Sequence, residues 1–156
     1  MFNAAGISGA GPEGRALAAP ADLAVLISKS RGPDALGEVI AELPPGTTAV
    51  TVERAARADL VILAIPFVRV PKLTRAVRTG ADASWSTPPT SSRSTPEYSG
   101  YVDLGEDTGT EWVGRQLPGA TMIKAFNAMF ASYISPDRRH TEGRQAVFYA
   151  GDDEGA

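Results

Sequence analysis

Six consecutive residues, Leu60-Val61-Ile62-Leu63-Ala64-Ile65, are apolar on what would be both faces of a strand. A strand with one face in water alternates apolar and polar residues; one without alternation has to be covered on both sides. Pro66 closes the run, because it brings no backbone donor. Leu23 to Ile27 repeats the pattern, and the shorter stretches Ala4 to Ile7 and Thr48 to Val52 also read as strands. Helical stretches lie between them: Arg15 to Ala19, stopped by Pro20; Pro33 to Leu43, ended by Pro44-Pro45-Gly46; and Val70 to Val77. Further on, Thr108 to Leu117 reads as a helix, and Thr121 to Phe126 and Ala146 to Ala150 as strands. Doubly covered strands alternating with helices define the α/β class, with a doubly wound parallel sheet between two helical layers.

The chain of 156 residues is expected to be one domain, 1–156. Asp82 to Gly100 stands apart. Its serines, threonines and prolines, from Ser84-Trp85-Ser86-Thr87-Pro88-Pro89 through Pro96, predict an irregular or disordered insert-like segment.

Composition excludes several function classes. There is no cysteine, so thiolate metal sites and cysteine nucleophiles are ruled out. The net charge of −3 offers no basic footprint for nucleic acid or an anionic membrane surface. Met1 to Gly14 lacks a basic stretch followed by a long apolar run, which predicts a cytoplasmic protein. His140, the one histidine, sits in the polar run Asp137 to Arg144 and reads as a solvated loop residue without a metal role. Asp103, Glu106, Asp107 and Glu111 read as loop and helix-start charges.

Gly9-Ala10-Gly11-Pro12-Glu13-Gly14 spells G-x-G-x-x-G between the first strand and a helix. The first glycine makes the tight turn, the second lets the backbone approach a pyrophosphate, and the third lets helix and strand pack closely. Placed here, the motif predicts a Rossmann-type dinucleotide-binding fold. Pro12 removes one donor but suits a first helical turn. Glu13 is the anomaly. Facing a pyrophosphate about 4 Å away, its carboxylate costs as much as about 4 kcal/mol at an effective dielectric near 20, so it must point away in a working site.

The residues after the second strand select the cofactor. An acidic side chain about 20 residues beyond the glycine loop takes the ribose hydroxyls of NAD. Here Ser28-Lys29-Ser30-Arg31-Gly32-Pro33 supplies hydroxyls and two cations instead. An arginine grips a phosphate with two N–H groups, so the pattern predicts the 2′-phosphate of NADP.

Gly9-Ala10-Gly11, Ser28 to Pro33, Ala64-Ile65-Pro66 and Lys124-Ala125-Phe126-Asn127 together resemble the NADP-dependent reductases of the deazaflavin coenzyme F-420. The likeness extends to Leu117-Pro118-Gly119-Ala120 and Ala150-Gly151-Asp152-Asp153. It implies hydride transfer between NADP(H) and F-420 as co-substrate, without a metal, with the protein supplying orientation. Carried over, Gly9, Ala10, Gly11 and Gly14 would hold the pyrophosphate, and Ser28, Ser30 and Arg31 the 2′-phosphate. Ala64, Ile65 and Pro66 would line the cofactor crevice. Lys124 and Asn127 would approach the nicotinamide, and Phe126, Asn127 and Ala128 the hydride partner. No catalytic residue is assigned. The partners expected are small molecules, with self-association left open.

The chain departs from that family in three places. The first helix is short, and at about 1.5 Å per residue cannot cross the sheet. The family continues beyond Ala156. Where it has a strand close to Val-Val-Asp-Ala-Thr-Asn, this chain has Ser84 to Thr90. One codon choice for Ser84 to Thr90, read two bases out of phase, gives that same hexapeptide. This predicts a local frameshift, which sequencing the gene tests, and with it the loss of one central strand and its asparagine. The second reading that follows is a catalytically inactive or regulatory dinucleotide-binding domain.

Overall fold

The computed structural model describes residues 2–19, 23–77, 84–87, 102–127, 129–134, 139–140, 143–144 and 146–151. Its elements in chain order are β1 (Ala4–Ser8), α1 (Pro12–Ala18), β2 (Ala24–Ser28), a 3-10 turn (Pro33–Leu36), α2 (Gly37–Ala41), β3 (Thr47–Ala49), α3 (Val52–Ala55) and β4 (Leu60–Leu63). A 3-10 turn (Phe67–Arg69), α4 (Val70–Ala76), β5 (Ser84–Thr87), α5 (Gly109–Gln116), β6 (Thr121–Ala125), β7 (Arg139–His140), β8 (Gly143–Arg144) and β9 (Tyr149–Gly151) follow.

Seven strands form one sheet in the order β3-β2-β1-β4-β5-β6-β9. The first six are parallel, and β9 runs antiparallel along β6. The β3-β2-β1-β4 order means that the chain winds outward in one direction from β1 and in the other from β4. The point of reversal therefore lies between β1 and β4, where ligands of such sheets bind beyond the carboxyl ends.

The lack of alternation in β4 has its expected cause. Val61 and Leu63 pack on one face with Val70 and Leu73 of α4 and Val113 of α5. Ile62 packs on the other with Ile7, Leu17 of α1, Val25, Ile27 and Leu36. Two cores, one on each face of the sheet, make the three-layer α/β architecture predicted by the double apolar pattern.

Ser84–Thr87 corrects the sequence reading. It forms β5, paired in parallel with Leu60–Ile62 of β4 and with Thr121–Lys124 of β6. The strand is therefore present, not lost. A gap between two parallel strands offers backbone partners on both sides whatever the side chains are. The prolines follow the four paired residues, so the ladder loses no donor. The rest of the Asp82–Gly100 expectation lies outside the described residues.

Other boundaries shift for local reasons. The helix expected over Pro33–Leu43 begins as a 3-10 turn and becomes α-helical from Gly37. The strand expected over Thr48–Val52 stops at Ala49, because Thr51 turns out to cap α3, its hydroxyl accepting from the Arg54 N–H at 3.3 Å. The last strand is confined to Tyr149–Gly151, since its partner β6 ends at Ala125 opposite Tyr149. His140 lies in a two-residue antiparallel ladder rather than a loop.

Candidate functional site

The glycine loop follows β1 at its carboxyl end, and each glycine has a distinct steric reason. Gly9 has φ +117°, and a Cβ there would lie 2.0 Å from the Ala64 carbonyl oxygen. Its N–H donates to the Ser28 carbonyl at 2.9 Å, and the Ala64 N–H donates to the Ser8 carbonyl at 2.8 Å. The loop is thus tied to the ends of both neighbouring strands. A Cβ on Gly14 would lie 2.0 Å from the Gly9 carbonyl oxygen, so α1 presses directly on the loop. Gly11 differs: among the described residues its only near contact is a Glu13 carboxylate oxygen at 3.7 Å from the Cβ position. That open side is the approach a pyrophosphate needs.

Pro12 starts α1 directly after Gly11, three residues before the start expected at Arg15 and in the first-turn position that suits a proline. Glu13 is exposed, but its carboxylate sits beside Gly11, contrary to the orientation required of a working site. An exposed glutamate changes rotamer at small cost, so this arrangement hinders an anion without blocking it.

A cleft of about 450 Å³ lies across the carboxyl end of β1. Its floor is Ser8 and Gly9; one wall is Ser28, Lys29 and Ser30 after β2; the other is Ile65 and Pro66 after β4, with Arg69, Lys72, Leu73 and Ala76. Val52 and Glu53 of α3 complete it. The volume is in the range of small-molecule sites. α3 comes this close because β1 carries Gly6, where a Cβ would lie 1.9 Å from the Ala55 carbonyl oxygen.

Ser8 and Ser28 are opposite one another in the β1–β2 register, and both are buried. The Ser28 hydroxyl donates to the Ile7 carbonyl at 3.2 Å. The Ser8 hydroxyl has no partner among the described residues. Ser8 is thus a polar residue at the end of an otherwise apolar strand, buried beside the cleft.

The cleft brings together Gly9, Ser28, Ser30, Ile65 and Pro66 of the expected site. Ala64 touches both Gly9 and Gly14 from behind, and Ala10 packs on the α1-side core. Arg31 is exposed and does not line the cleft, and Gly11 and Gly14 lie beyond its edge. Lys124 and Asn127 lie at the carboxyl end of β6, the same edge of the sheet, with β4 and β5 between them and β1. Phe126 packs against the α1-side core and has φ +62°, a conformation costly for a bulky residue. Such backbone strain is retained where surrounding contacts hold it, often near ligands. Ala128 lies outside the described residues. Sequence reasoning missed Val52, Glu53, Arg69 and Lys72; the spacing of 69, 72, 73 and 76, one helical face, was the available signal.

Among the described residues, no group of three or more His, Asp or Glu side chains could hold a metal, and no helix is long and apolar enough to cross a membrane.

Parallel strands reversing at a glycine loop, with a cleft across that loop, define a Rossmann-type dinucleotide-binding protein. Residues 4–84 match the family described as NADP oxidoreductase, coenzyme F-420-dependent. The chain belongs to that family, one of NADP-dependent oxidoreductases. It is similar in structure to a hypothetical protein from Sinorhizobium meliloti, with TM-score 0.83 and 30% identity over 99% of this chain and 76% of that one. A provisionally assigned F-420-dependent NADP-reductase from Arthrobacter sp. FB24 gives TM-score 0.70 and 25% identity over 99% and 76%. Glycerol-3-phosphate dehydrogenase from Coxiella burnetii, at 16% identity and TM-score 0.72, shares the fold over 99% of this chain and 48% of its own. The sequence matches no curated protein.

Proposed function

We propose that the chain is a single-domain oxidoreductase that exchanges hydride between NADP(H) and a deazaflavin partner of the F-420 type. The observation that carries the reading is the glycine loop at the sheet's point of reversal, open at Gly11 and adjoining the cleft between β2 and β4. NADP bound there would supply the hydride chemistry. The protein's part is to bind and orient. Gly9 and Gly14 fix the loop against β4 and α1, leaving Gly11 free for the pyrophosphate. Ser28, Ser30 and Arg31 are proposed for the 2′-phosphate, with Ala64, Ile65 and Pro66 bordering the crevice. Lys124 and Asn127 are proposed to face the nicotinamide, and Phe126, Asn127 and Ala128 the hydride partner. Partners are small molecules, and the protein is proposed to act in the cytoplasm.

A second reading, a catalytically inactive or regulatory domain that binds without turnover, rests on the same glycine loop and cleft. Anaerobic spectrophotometry of NADPH with F-420 separates the two. Loss of both cofactor absorbances in equal amounts supports hydride transfer. Cofactor-induced thermal stabilisation without turnover supports the regulatory reading.

A further inference from the structure

The cleft wall contributed by the 3-10 turn and α4 is cationic at an unexpected end of the helix. Arg69 is the N-cap of α4, and Lys72 is the third residue of the helix. The first turn of α4 contains no acidic residue. Cations there oppose the helix dipole, which favours negative side chains at its start by roughly 0.3–1 kcal/mol each. Their placement therefore needs another cause than helix stability.

Arg69, Lys72, Leu73 and Ala76 follow the i, i+3, i+4, i+7 pattern and all line the cleft, so one face of this segment is turned to it. Across from it stands Lys29 with Ser28 and Ser30. Three cations thus border the cleft against one carboxylate, Glu53. Among the described residues none of these four side chains forms an ion pair. Between them lies Ser8, whose buried hydroxyl has no partner among the described residues. A cleft of this size, with excess positive charge, suits a small phosphorylated ligand.

We infer that Arg69 and Lys72 are specificity-determining residues for the 2′-phosphate of NADP, gripping it from the β4 side while Lys29 and Ser30 hold it from the β2 side. The inference rests on the proposed NADP site but moves the source of selectivity. Arg31, which the order of residues after β2 singled out, is exposed and outside the cleft lining. The loops after β2 and β4 flank β1 on its two sides, so a phosphate above Ser8 is reached from both.

The test uses adenosine 2′,5′-bisphosphate and adenosine 5′-monophosphate as probes, with affinities measured by calorimetry on the whole chain. Wild-type protein is expected to prefer the bisphosphate. In the double variant Arg69→Gln/Lys72→Gln, affinity for the bisphosphate is expected to fall on the order of tenfold or more for each cation removed. Monophosphate affinity should change little, so the preference collapses. Both side chains are exposed, and the unliganded melting temperature of the variant checks that the fold is kept. The exchange variant Arg69→Lys/Lys72→Arg should retain a preference. An unchanged preference in the glutamine variant overturns the inference and leaves the NADP reading standing. Wild-type protein that binds neither bisphosphate nor NADP overturns the functional reading itself.

Discussion

The carbonyl oxygen of Ala64 lies 2.0 Å from where a Cβ on Gly9 would have to be. The glycine loop and the end of β4 are therefore in backbone contact. Gly9→Ala combines this overlap with a φ of +117°. It is expected to destabilise the fold by on the order of 2–4 kcal/mol. Gly14→Ala, facing the Gly9 carbonyl, should cost about 1–3 kcal/mol. Urea titrations check both; values near zero would mean that helix and loop separate easily.

Glu13 places its carboxylate beside Gly11, the residue left open for the pyrophosphate. Glu13→Gln keeps the shape and removes the charge, so NADP affinity is expected to stay or to rise by up to about tenfold. Calorimetric titration of the two proteins makes the comparison. A marked loss of affinity would mean that the carboxylate contacts the cofactor favourably.

Much of this architecture is legible in the sequence because it follows from side-chain pattern. Val61, Ile62 and Leu63 face two cores in turn, so their unbroken apolar run forecasts a buried parallel strand. Ser84–Thr87 could not be read that way. Its place in the sheet comes from the backbone partners that β4 and β6 present, and these come from distant parts of the chain. α3 was hidden for a similar reason: four residues are too few for a helical period to appear. Of the cleft lining, Gly9 and Ser28 stand in short local patterns at the ends of β1 and β2, which a sequence displays directly. Arg69 and Lys72 were not tied to these, since the cleft joins segments that only the fold brings together.

Asp59 anchors the start of β1. Its carboxylate accepts from the Asn3 N–H at 2.8 Å and the Ala4 N–H at 3.3 Å. These backbone bonds, Asn3 first, hold its pKa below the ordinary 3.8. A carboxylate with a lowered folded value contributes stability fully above its unfolded value, and loses it as pH falls through the folded value. Asp59→Asn is therefore expected to melt below wild type near neutral pH, with the gap closing in acid. Melting curves across pH check this; a gap independent of pH would show that charge plays no part.

α5, the helix before β6, begins with a reciprocal cap. The Thr108 hydroxyl accepts from the Glu111 N–H at 3.3 Å, and the Glu111 carboxylate accepts from the Thr108 N–H at 2.7 Å. Thr108→Ala should cost about 1 kcal/mol, measured by chemical denaturation. An effect within error would mean that α5 is held by Val113 and Leu117 in the core rather than by its cap.

The account stands most directly on cofactor choice. Parallel calorimetric titrations of the whole chain with NADP and NAD, for wild type and Arg31→Ala, measure it. Wild type is expected to bind NADP at least tenfold tighter than NAD. Arg31→Ala separates the two sources of selectivity: a selective loss of NADP affinity, on the order of 1.5–3 kcal/mol, assigns the 2′-phosphate to Arg31, and an unchanged preference leaves it to Arg69 and Lys72. Equal losses for both cofactors would remove Arg31 from the site. Wild-type protein that binds neither cofactor, or that prefers NAD, would contradict the NADP assignment.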